Sequence, residues 1–193
     1  DFLFFFGAFT IRGESYNEYR ITKLYNEDIR IIPLTLKRSY LNQTYSGIIE
    51  KKVNDNNTIY ALCQKAASSI IGAIMKSTDG GTNWTNMTLP SWCDQGITKT
   101  DFTRSQCWYD LIAAVDPNNS NNVLIGGIDI LKSTDGAANW QQITQWASGC
   151  SGLPNVHADI HNIVYYPNSS SEIIATTDGG IHYSADGGTN WTN

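Results

Sequence analysis

The sequence predicts an all-β protein built from repeated antiparallel sheets, and three observations support this prediction. A turn-forming octapeptide ending in tryptophan occurs three times, at 77–84, 133–140 and 184–191; we call these copies the turn motifs. Their aspartates, Asp79, Asp135 and Asp186, lie 135 − 79 = 56 and 186 − 135 = 51 residues apart, which indicates one recurring unit. Between the copies, short apolar runs alternate with Asn-, Asp-, Gly- and Pro-rich turns, as in strands joined by loops.

Each turn motif predicts a tight β-hairpin corner. The Ser, Thr and Asp oxygens can accept bonds from nearby backbone N–H groups, and the glycines supply positive φ. The tryptophan begins the returning strand and anchors it on the layer beneath. Ala137 replaces the second glycine of the middle copy, and we expect a hairpin there too. The residues to which we assign this structural role are Ser77, Asp79, Gly81, Trp84, Ser133, Asp135, Trp140, Ser184, Asp186, Gly188 and Trp191.

The segments before each turn motif repeat in the same order: strand, polar turn, strand, small residues, strand. In the first copy the strands are predicted at 48–53, 59–63 and 73–76. In the second they fall at 109–115, 123–127 and 129–132, and in the third the first two fall at 159–166 and 173–176. With the strand after the motif, each copy makes a four-stranded antiparallel unit of about fifty residues, the size of a propeller blade.

The fold class predicted is therefore a β-propeller of four-stranded blades. The blades are expected at 46–92, 93–146 and 147–193, the last one truncated, with an N-terminal segment at 1–45 that belongs to a preceding blade. Closed propellers have about four to eight blades, whereas about three to four are present here, so we expect part of a larger propeller. The run Phe2–Phe6 is too short to span a bilayer and is expected to be an internal strand.

Composition favours a secreted or cell-surface protein. The net charge is −5, and the 13 Lys and Arg residues form no large cluster, so nucleic acid and anionic membranes are not expected partners. Four cysteines permit two disulfides in three connectivities, of which we favour one that includes a Cys93–Cys107 bridge across an inter-blade loop. No C-x-x-C spacing occurs, and neither a metal nor a cofactor is predicted.

The turn motif has the form S-x-D-x-G-x-x-W and resembles the Asp-box, or BNR, repeat of sialidases, family-74 glycoside hydrolases and sortilin-type receptors. The segments at 106–110, 126–127, 156–161 and 177–181 are similar to secreted bacterial BNR-propeller proteins. The resemblance covers roughly 46–193 and implies the propeller fold, with the boxes lying away from the binding face. It leaves the activity open, because these families share the repeat and differ in chemistry.

Residues that the repeat does not require are the candidates for function. A residue shared by all units is architectural, whereas one unique to a unit is free to act. The residues that pass this comparison are His157, Asp159, His161, Asp178 and His182, together with Trp108, Tyr109 and Asp110.

His157, Asp159 and His161 are predicted to lie on one face of a strand. Successive members would be about 6.6 Å apart, so an adjacent pair could share a metal. The outer two would be about 13 Å apart, so all three could converge only on a bent strand. We therefore favour polar residues that line the propeller channel or a blade end.

Asp178 and Asp159 raise the possibility of glycoside hydrolysis. This reaction needs two carboxyl groups about 5–10 Å apart. The segment Thr177–Gly180 is similar to the surroundings of a catalytic aspartate in family-74 enzymes, and the resemblance implies that role for Asp178. The same residues also form a simple turn, which is the favoured interpretation.

Three tryptophans, Trp92, Trp108 and Trp146, lie outside the turn motifs, in or beside long inter-blade segments. Aromatic rings on such loops stack on sugar faces or anchor a peptide. For Trp108 burial at a blade junction is favoured, and for the other two both roles stay open.

The predicted function is binding of a polysaccharide or protein ligand through the loop face of the propeller. The candidate binding residues are Trp92, Trp108, Tyr109, Asp110, Trp146, His157, His161 and His182. One alternative is a family-74-like endo-glycanase with Asp178 as a catalytic carboxylate. A second alternative is a sortilin-like peptide receptor. Besides the ligand, the expected partners are the remaining blades of the propeller.

Overall fold

The computed structural model describes the backbone of residues 18–25, 28–35 and 45–51, and residues 57–65, 68–93, 100–147, 149–150 and 152–193 with their side chains. The predicted strand at Phe2–Phe6 and most of segment 1–45 lie outside the described residues. No helix in the described ranges is long and apolar enough to cross a membrane.

The described residues form four antiparallel sheets. An N-terminal hairpin consists of β1 (Glu18–Tyr25) and β2 (Asp28–Thr35). The first blade sheet contains β3 (Tyr45–Lys51), β4 (Ile59–Lys65), β5 (Ile71–Ser77) and β6 (Thr85–Asn86). After a short helix, α1 (Cys107–Asp110), the second contains β7 (Ile112–Val115), β8 (Val123–Gly126), β9 (Ile130–Ser133) and β10 (Gln141–Gln142). The third contains β11 (Ile160–Tyr165), β12 (Ile173–Thr177) and β13 (Gly180–Ser184).

Each blade sheet follows chain order, because every strand pairs with the next one. In the third sheet an antiparallel bridge between Tyr183 and Thr192 occupies the place of a fourth strand. The first strands of successive sheets contact each other, β3 with β7 and β7 with β11. This arrangement of side-by-side sheets confirms the predicted all-β fold and fits part of a β-propeller.

The turn motifs share one hydrogen-bond pattern. In all three, the serine Oγ donates to the aspartate Oδ1 at 2.8–2.9 Å and accepts the backbone N–H four residues later at 2.8–2.9 Å. The asparagine N–H donates to Oδ1, and its Nδ2 donates to Oδ2 at 2.6–2.7 Å. Ala137 adopts the positive φ of the glycine it replaces, 71°, so the middle hairpin forms despite its Cβ.

The second sheet is buried on both faces. Ala113 and Ile125 belong to a cluster shared with the first sheet, whereas Ala114 and Leu124 belong to a cluster shared with the third. Because successive side chains of a strand point to opposite faces, a sheet covered on both sides needs apolar residues at every position. This requirement explains the uninterrupted Val-Leu-Ile run of β8.

The tryptophans of the second and third turn motifs connect neighbouring sheets. Trp140 packs on the cluster between the first and second sheets, and its Nε1 donates to the Thr88 carbonyl at 2.8 Å. Trp191 packs on the cluster between the second and third sheets. Each of these rings therefore anchors its own sheet on the preceding one.

The predicted Cys93–Cys107 disulfide is wrong, because Cys93 is bonded to Cys150, with a Cα–Cα distance of 5.8 Å. Helix α1 turns Cys107 into the core, where Thr103 Oγ1 lies 3.0 Å from its sulfur. Cys63 and Cys107 are both free and buried, and burial raises the pKa of each thiol to about 12. The bridge thus joins two successive inter-sheet connections instead of closing one of them.

The two ends of each sheet differ in what they carry. The first glycine of every turn motif donates its N–H to the turn between the first two strands, for example Gly136 to the Asn121 carbonyl at 2.9 Å. The hairpin between the second and third strands and the inter-sheet connections lie at the opposite end, because the strands alternate in direction. We call this opposite end the loop end.

Candidate functional site

Three segments meet at the loop end of the third sheet: α1, the residues leading into β11, and the turn between β12 and β13. The turn presents the Asp178 carboxylate. Tyr109 Oη donates to its Oδ1 at 2.8 Å, and His161 Nε2 lies 2.5 Å from the same oxygen. The Tyr109 and His161 rings meet edge to face at 4.7 Å. We call Trp108, Tyr109, His161 and Asp178 the Asp178 cluster.

Asp178 is ionised at neutral pH. Its hydrogen bonds with His161 and Tyr109 lower the pKa of the carboxyl, and the nearby imidazoles of His161 and His157 lower it further. Both hydrogen bonds end on Oδ1, and among the described residues none reaches Oδ2. The side chain is 40% exposed, so this second oxygen can accept a hydrogen bond from a ligand.

Trp108 lies on the surface beside Tyr109, and the expectation that it is buried is wrong. It is 71% exposed, with its ring 5.5 Å from that of Tyr109. A strand was predicted from residue 109, but the chain first forms α1. Arg104 and Ser105 both have positive φ, and the resulting bend sets up the helix that turns Trp108 outwards.

Asp110 is oriented differently from its neighbours on α1. It was predicted to bind ligand, but it is 1% exposed and cannot touch one directly. Its Oδ2 accepts a 3.5 Å bond from Gln106 Nε2, which also donates to Asp159 Oδ1 at 3.1 Å. Gln106 is therefore a residue of the site that the sequence comparison missed.

A cleft of about 400 Å³ adjoins the cluster. It brings together three predicted residues, Trp146, His157 and His182. The other residues that line it are Asn155, Ala158, Gly179, Trp191, Thr192 and Asn193. At its rim the Arg104 guanidinium lies 5.9 Å from the centre of the Trp146 ring, a cation–π contact.

The cleft borders on Asp178 through a close contact. A Cβ built on Gly179 would overlap the His157 ring, so only glycine lets this turn and that ring pack together. His182, 5% exposed, lies at the cleft wall, where burial lowers the pKa of its imidazole. Thr177 Oγ1 is 3.4 Å from its Nε2.

The structure decides one question left open for these residues and corrects one prediction. Trp92 is 4% exposed in the core between the first and second sheets, so it cannot stack on a ligand. His157, Asp159 and His161 do not share a strand face, because β11 begins at Ile160 and Asp159 has a φ of 63°. Within the described ranges, no three His, Cys, Asp or Glu side chains are grouped to hold a metal ion.

Comparison with known proteins identifies the fold. No family model and no curated protein sequence matches the chain. An ancestral GH74 enzyme is similar in structure, with a TM-score of 0.55 and 18% identity over 95% of this chain and 24% of that one. The GH74 xyloglucanase from Xanthomonas campestris has a TM-score of 0.51 and 17% identity, over 75% of this chain and 22% of that one. YCF48 bound to D1 peptide has the same TM-score and identity, over 93% of this chain and 44% of that one.

This chain thus spans less than half the length of these three proteins. At such identities the likeness concerns the fold alone. These neighbours are β-propellers, and the side-by-side four-stranded sheets agree with them. The chain therefore has the fold of part of a β-propeller.

Proposed function

We propose that this chain is part of a secreted or cell-surface β-propeller that binds a neutral polysaccharide at the loop end of its third sheet. The observation that carries the proposal is the exposed Trp108 ring next to Tyr109, whose hydroxyl donates to the Asp178 carboxylate. Sugar rings present apolar C–H faces that stack on aromatic rings and hydroxyl groups that donate to carboxylates. The Asp178 cluster offers both kinds of contact on one surface.

The carboxylate is held ready for such a ligand. Tyr109 and His161 fix Asp178 through Oδ1, which leaves Oδ2 to accept a sugar hydroxyl. Because these side chains are already in contact, little conformational entropy is lost when a ligand binds to them.

The adjoining cleft supplies further sugar contacts. Trp146 is 38% exposed at its rim, and Asn155 and His157 add polar groups. A chain of sugar units that stacks on Trp108 would pass Asp178 and reach this cleft, because Gly179 forms part of the cleft lining.

Charge favours a neutral ligand over an acidic one. The hydrogen bond with Asp178 raises the pKa of the Tyr109 phenol, and the charges of Asp178 and Asp159 both act on Tyr109 and raise it further. The whole chain carries a net charge of −5. An anionic polysaccharide would be repelled by this potential.

The disulfide supports the proposed location. Cys93–Cys150 joins two inter-sheet connections, and disulfide bonds persist in oxidising compartments. Secreted and cell-surface proteins occupy those compartments.

Glycoside hydrolysis at the same site is the second candidate. The lowered pKa of Asp178 keeps it ionised, as a nucleophile or general base requires. Of the nearby carboxyl groups, Asp159 is partly exposed, whereas Asp110 is too buried to reach a substrate. Asp159 is thus the second carboxyl group that this candidate would use.

The test measures binding of xyloglucan, the substrate that one neighbour's name gives, and of other neutral glycans, by calorimetry and on a glycan array. Trp108→Ala should weaken binding about 2- to 10-fold, the usual worth of an aromatic contact. Asp178→Asn should weaken it at least about 10-fold, because a charge-assisted hydrogen bond is lost. Tyr166→Ala is the control, since this exposed ring follows β11 at the opposite end of the sheet.

Equal weakening by all three variants, or no effect of the first two, would contradict the proposal. Binding of a peptide library without any glycan would favour the sortilin-like alternative instead. Release of new reducing ends by the wild type, abolished in Asp178→Asn, would establish the hydrolytic candidate. Retained hydrolysis in that variant would remove it.

A further inference from the structure

Asp110 is a buried acid with no evident structural need for a charge. Its side chain is 1% exposed at the end of α1, and within the described residues its Oδ1 has no hydrogen-bond partner. Placing a carboxylate in such a position is costly unless the group is paired or neutral. The turn-motif aspartates, by contrast, are exposed and fully bonded.

One side-chain amide connects this acid to the site. Gln106 Nε2 donates to Asp110 Oδ2 at 3.5 Å and to Asp159 Oδ1 at 3.1 Å. The amide thereby links α1 to the segment before β11. Asp159 has a φ of 63°, which few residues other than glycine adopt. Two residues further along the chain, His161 is hydrogen-bonded to Asp178.

The charges around Asp110 oppose its ionisation. The acids that face it are Asp159 from the segment before β11 and Asp101 from the loop before α1, and the Cys107 thiol lies on the same helix. Burial is the largest cause that shifts the pKa of Asp110, which it raises to about 8 against the lowering effect of the Gln106 hydrogen bond. The charges of Asp159 and Asp101 raise the pKa further. At pH 7 the group is mostly a neutral carboxylic acid.

We propose that Asp110, in its neutral form, is a positioning residue that shares Gln106 with Asp159 and so holds the segment 159–161 against Asp178. The inference rests on the proposed function only in treating the Asp178 cluster as a binding site. Ionisation of Asp110 would place two carboxylates on one amide, and their repulsion would displace the segment that carries His161.

The first test compares wild type and Asp110→Asn in thermal unfolding between pH 5 and pH 9. The folded pKa lies above the unfolded value of 3.8, so the unfolded chain loses its proton first as pH rises. Stability from this group should therefore fall from about pH 4 to about pH 8 and then level off. The Asp110→Asn side chain has the same shape but cannot ionise, so the stability of this variant should not show the decline with rising pH.

The second test follows His161 by NMR, which is practical because the chain has three histidines. Its imidazole signal, assigned with His161→Gln, should shift near pH 8 in the wild type and not in Asp110→Asn. Asp116→Asn is the control, since this buried acid lies in the turn between β7 and β8 and its variant should keep the shift. Gln106→Leu should displace the signal at every pH, which provides a second variant if Asp110→Asn fails to fold.

Polysaccharide binding supplies the third readout. If the protein binds the polysaccharide only while Asp110 is neutral, the affinity of the wild type for the polysaccharide should fall about tenfold from pH 7 to pH 9. The affinity of Asp110→Asn should not fall. An unchanged stability slope and an unchanged His161 profile in Asp110→Asn would overturn the inference, as would an unmoved signal in Gln106→Leu. A different outcome is that the wild type itself binds no glycan. If Asp110→Asn then still alters the pH dependence of stability and of the His161 signal, the positioning role is supported and the proposed function is contradicted.

Discussion

Backbone strain is concentrated around the candidate site. Arg104, Ser105 and Asp159 have φ of 50°, 63° and 63°, and all three flank the Asp178 cluster or the cleft. Residues with side chains pay about 1–3 kcal/mol for such conformations, which persist only where surrounding contacts enforce them. Asp101 supplies such contacts, because its carboxylate accepts bonds from the Thr103 hydroxyl and the Ser105 N–H. The strained loop is therefore built to place α1 and its exposed ring.

The turn-motif aspartates make a prediction about acid stability. Hydrogen bonds from Asn139 and Ser133 lower the pKa of Asp135 to about 2. Since the folded value lies below the unfolded 3.8, the stabilisation is complete above pH 3.8 and is lost as pH falls toward 2. Asp135→Asn should lower the melting temperature at pH 7, because its amide replaces the oxygen that accepts from Asn139 Nδ2.

The measurement is thermal unfolding of wild type and Asp135→Asn between pH 2 and pH 7. The difference in melting temperature should shrink as pH approaches 2. Thr134→Ala, an exposed neighbour in the same motif, should have little effect at any pH. A difference that stays constant over this range would refute the role of the ionised carboxylate.

The tryptophans show what residue type alone leaves undecided. Trp92 and Trp108 both lie near the long connection before β7, and the sequence places each outside the turn motifs. One is 4% exposed and the other 71% exposed, because α1 turns its second residue away from the core. For Trp146 the sequence allows either burial or ligand contact, and its ring is 38% exposed.

At the scale of elements, the inter-sheet connections are what distinguish one blade from another. The four-stranded units follow the predicted order closely, since periodicity and turn chemistry determine them locally. The connections have no such period. Helix α1 and the Cys93–Cys150 bridge lie there, and neither was predicted correctly.

The disulfide gives the prediction at this scale. Cys93 and Cys150 are 57 residues apart, so a chain-entropy treatment gives a stabilisation of about 4 kcal/mol. The double variant Cys93→Ser, Cys150→Ser should lose a similar free energy of unfolding in urea. Cys63 and Cys107 should react with a thiol reagent only after unfolding, because they are buried and their thiols have a raised pKa.

Alkylation without reduction, followed by peptide mapping, identifies the free thiols directly. Label on unfolded Cys63 and Cys107 alone is the expected result. Label on Cys150 would instead indicate the Cys93–Cys107 pairing.

For the whole molecule, stability depends on the packing of the sheets against one another. The second sheet takes part in both apolar clusters, and Leu124 in its second strand is fully buried between the second and third sheets. Leu124→Ala should therefore lower the free energy of unfolding by about 2–5 kcal/mol. Val164→Ala, on a 37% exposed residue of β11, should change it by less than about 0.5 kcal/mol.

Urea unfolding followed by tryptophan fluorescence and circular dichroism measures both variants. The two signals should move together, because the sheets share buried clusters. Equal effects of the two substitutions would contradict the packing described for the second sheet.

The sequence by itself determined the strands, the turn motifs and the order of the sheets, because these depend on short-range periodicity and on hydrogen bonds within eight residues. It also selected Asp178, Tyr109 and His161 as residues that the repeat does not require. Only the tertiary structure decided that these three touch, that Trp108 is exposed and that Asp110 is buried. Tyr109 and Asp178 are 69 positions apart in the chain, and their contact depends on the packing of separate sheets. Local sequence patterns do not determine that packing.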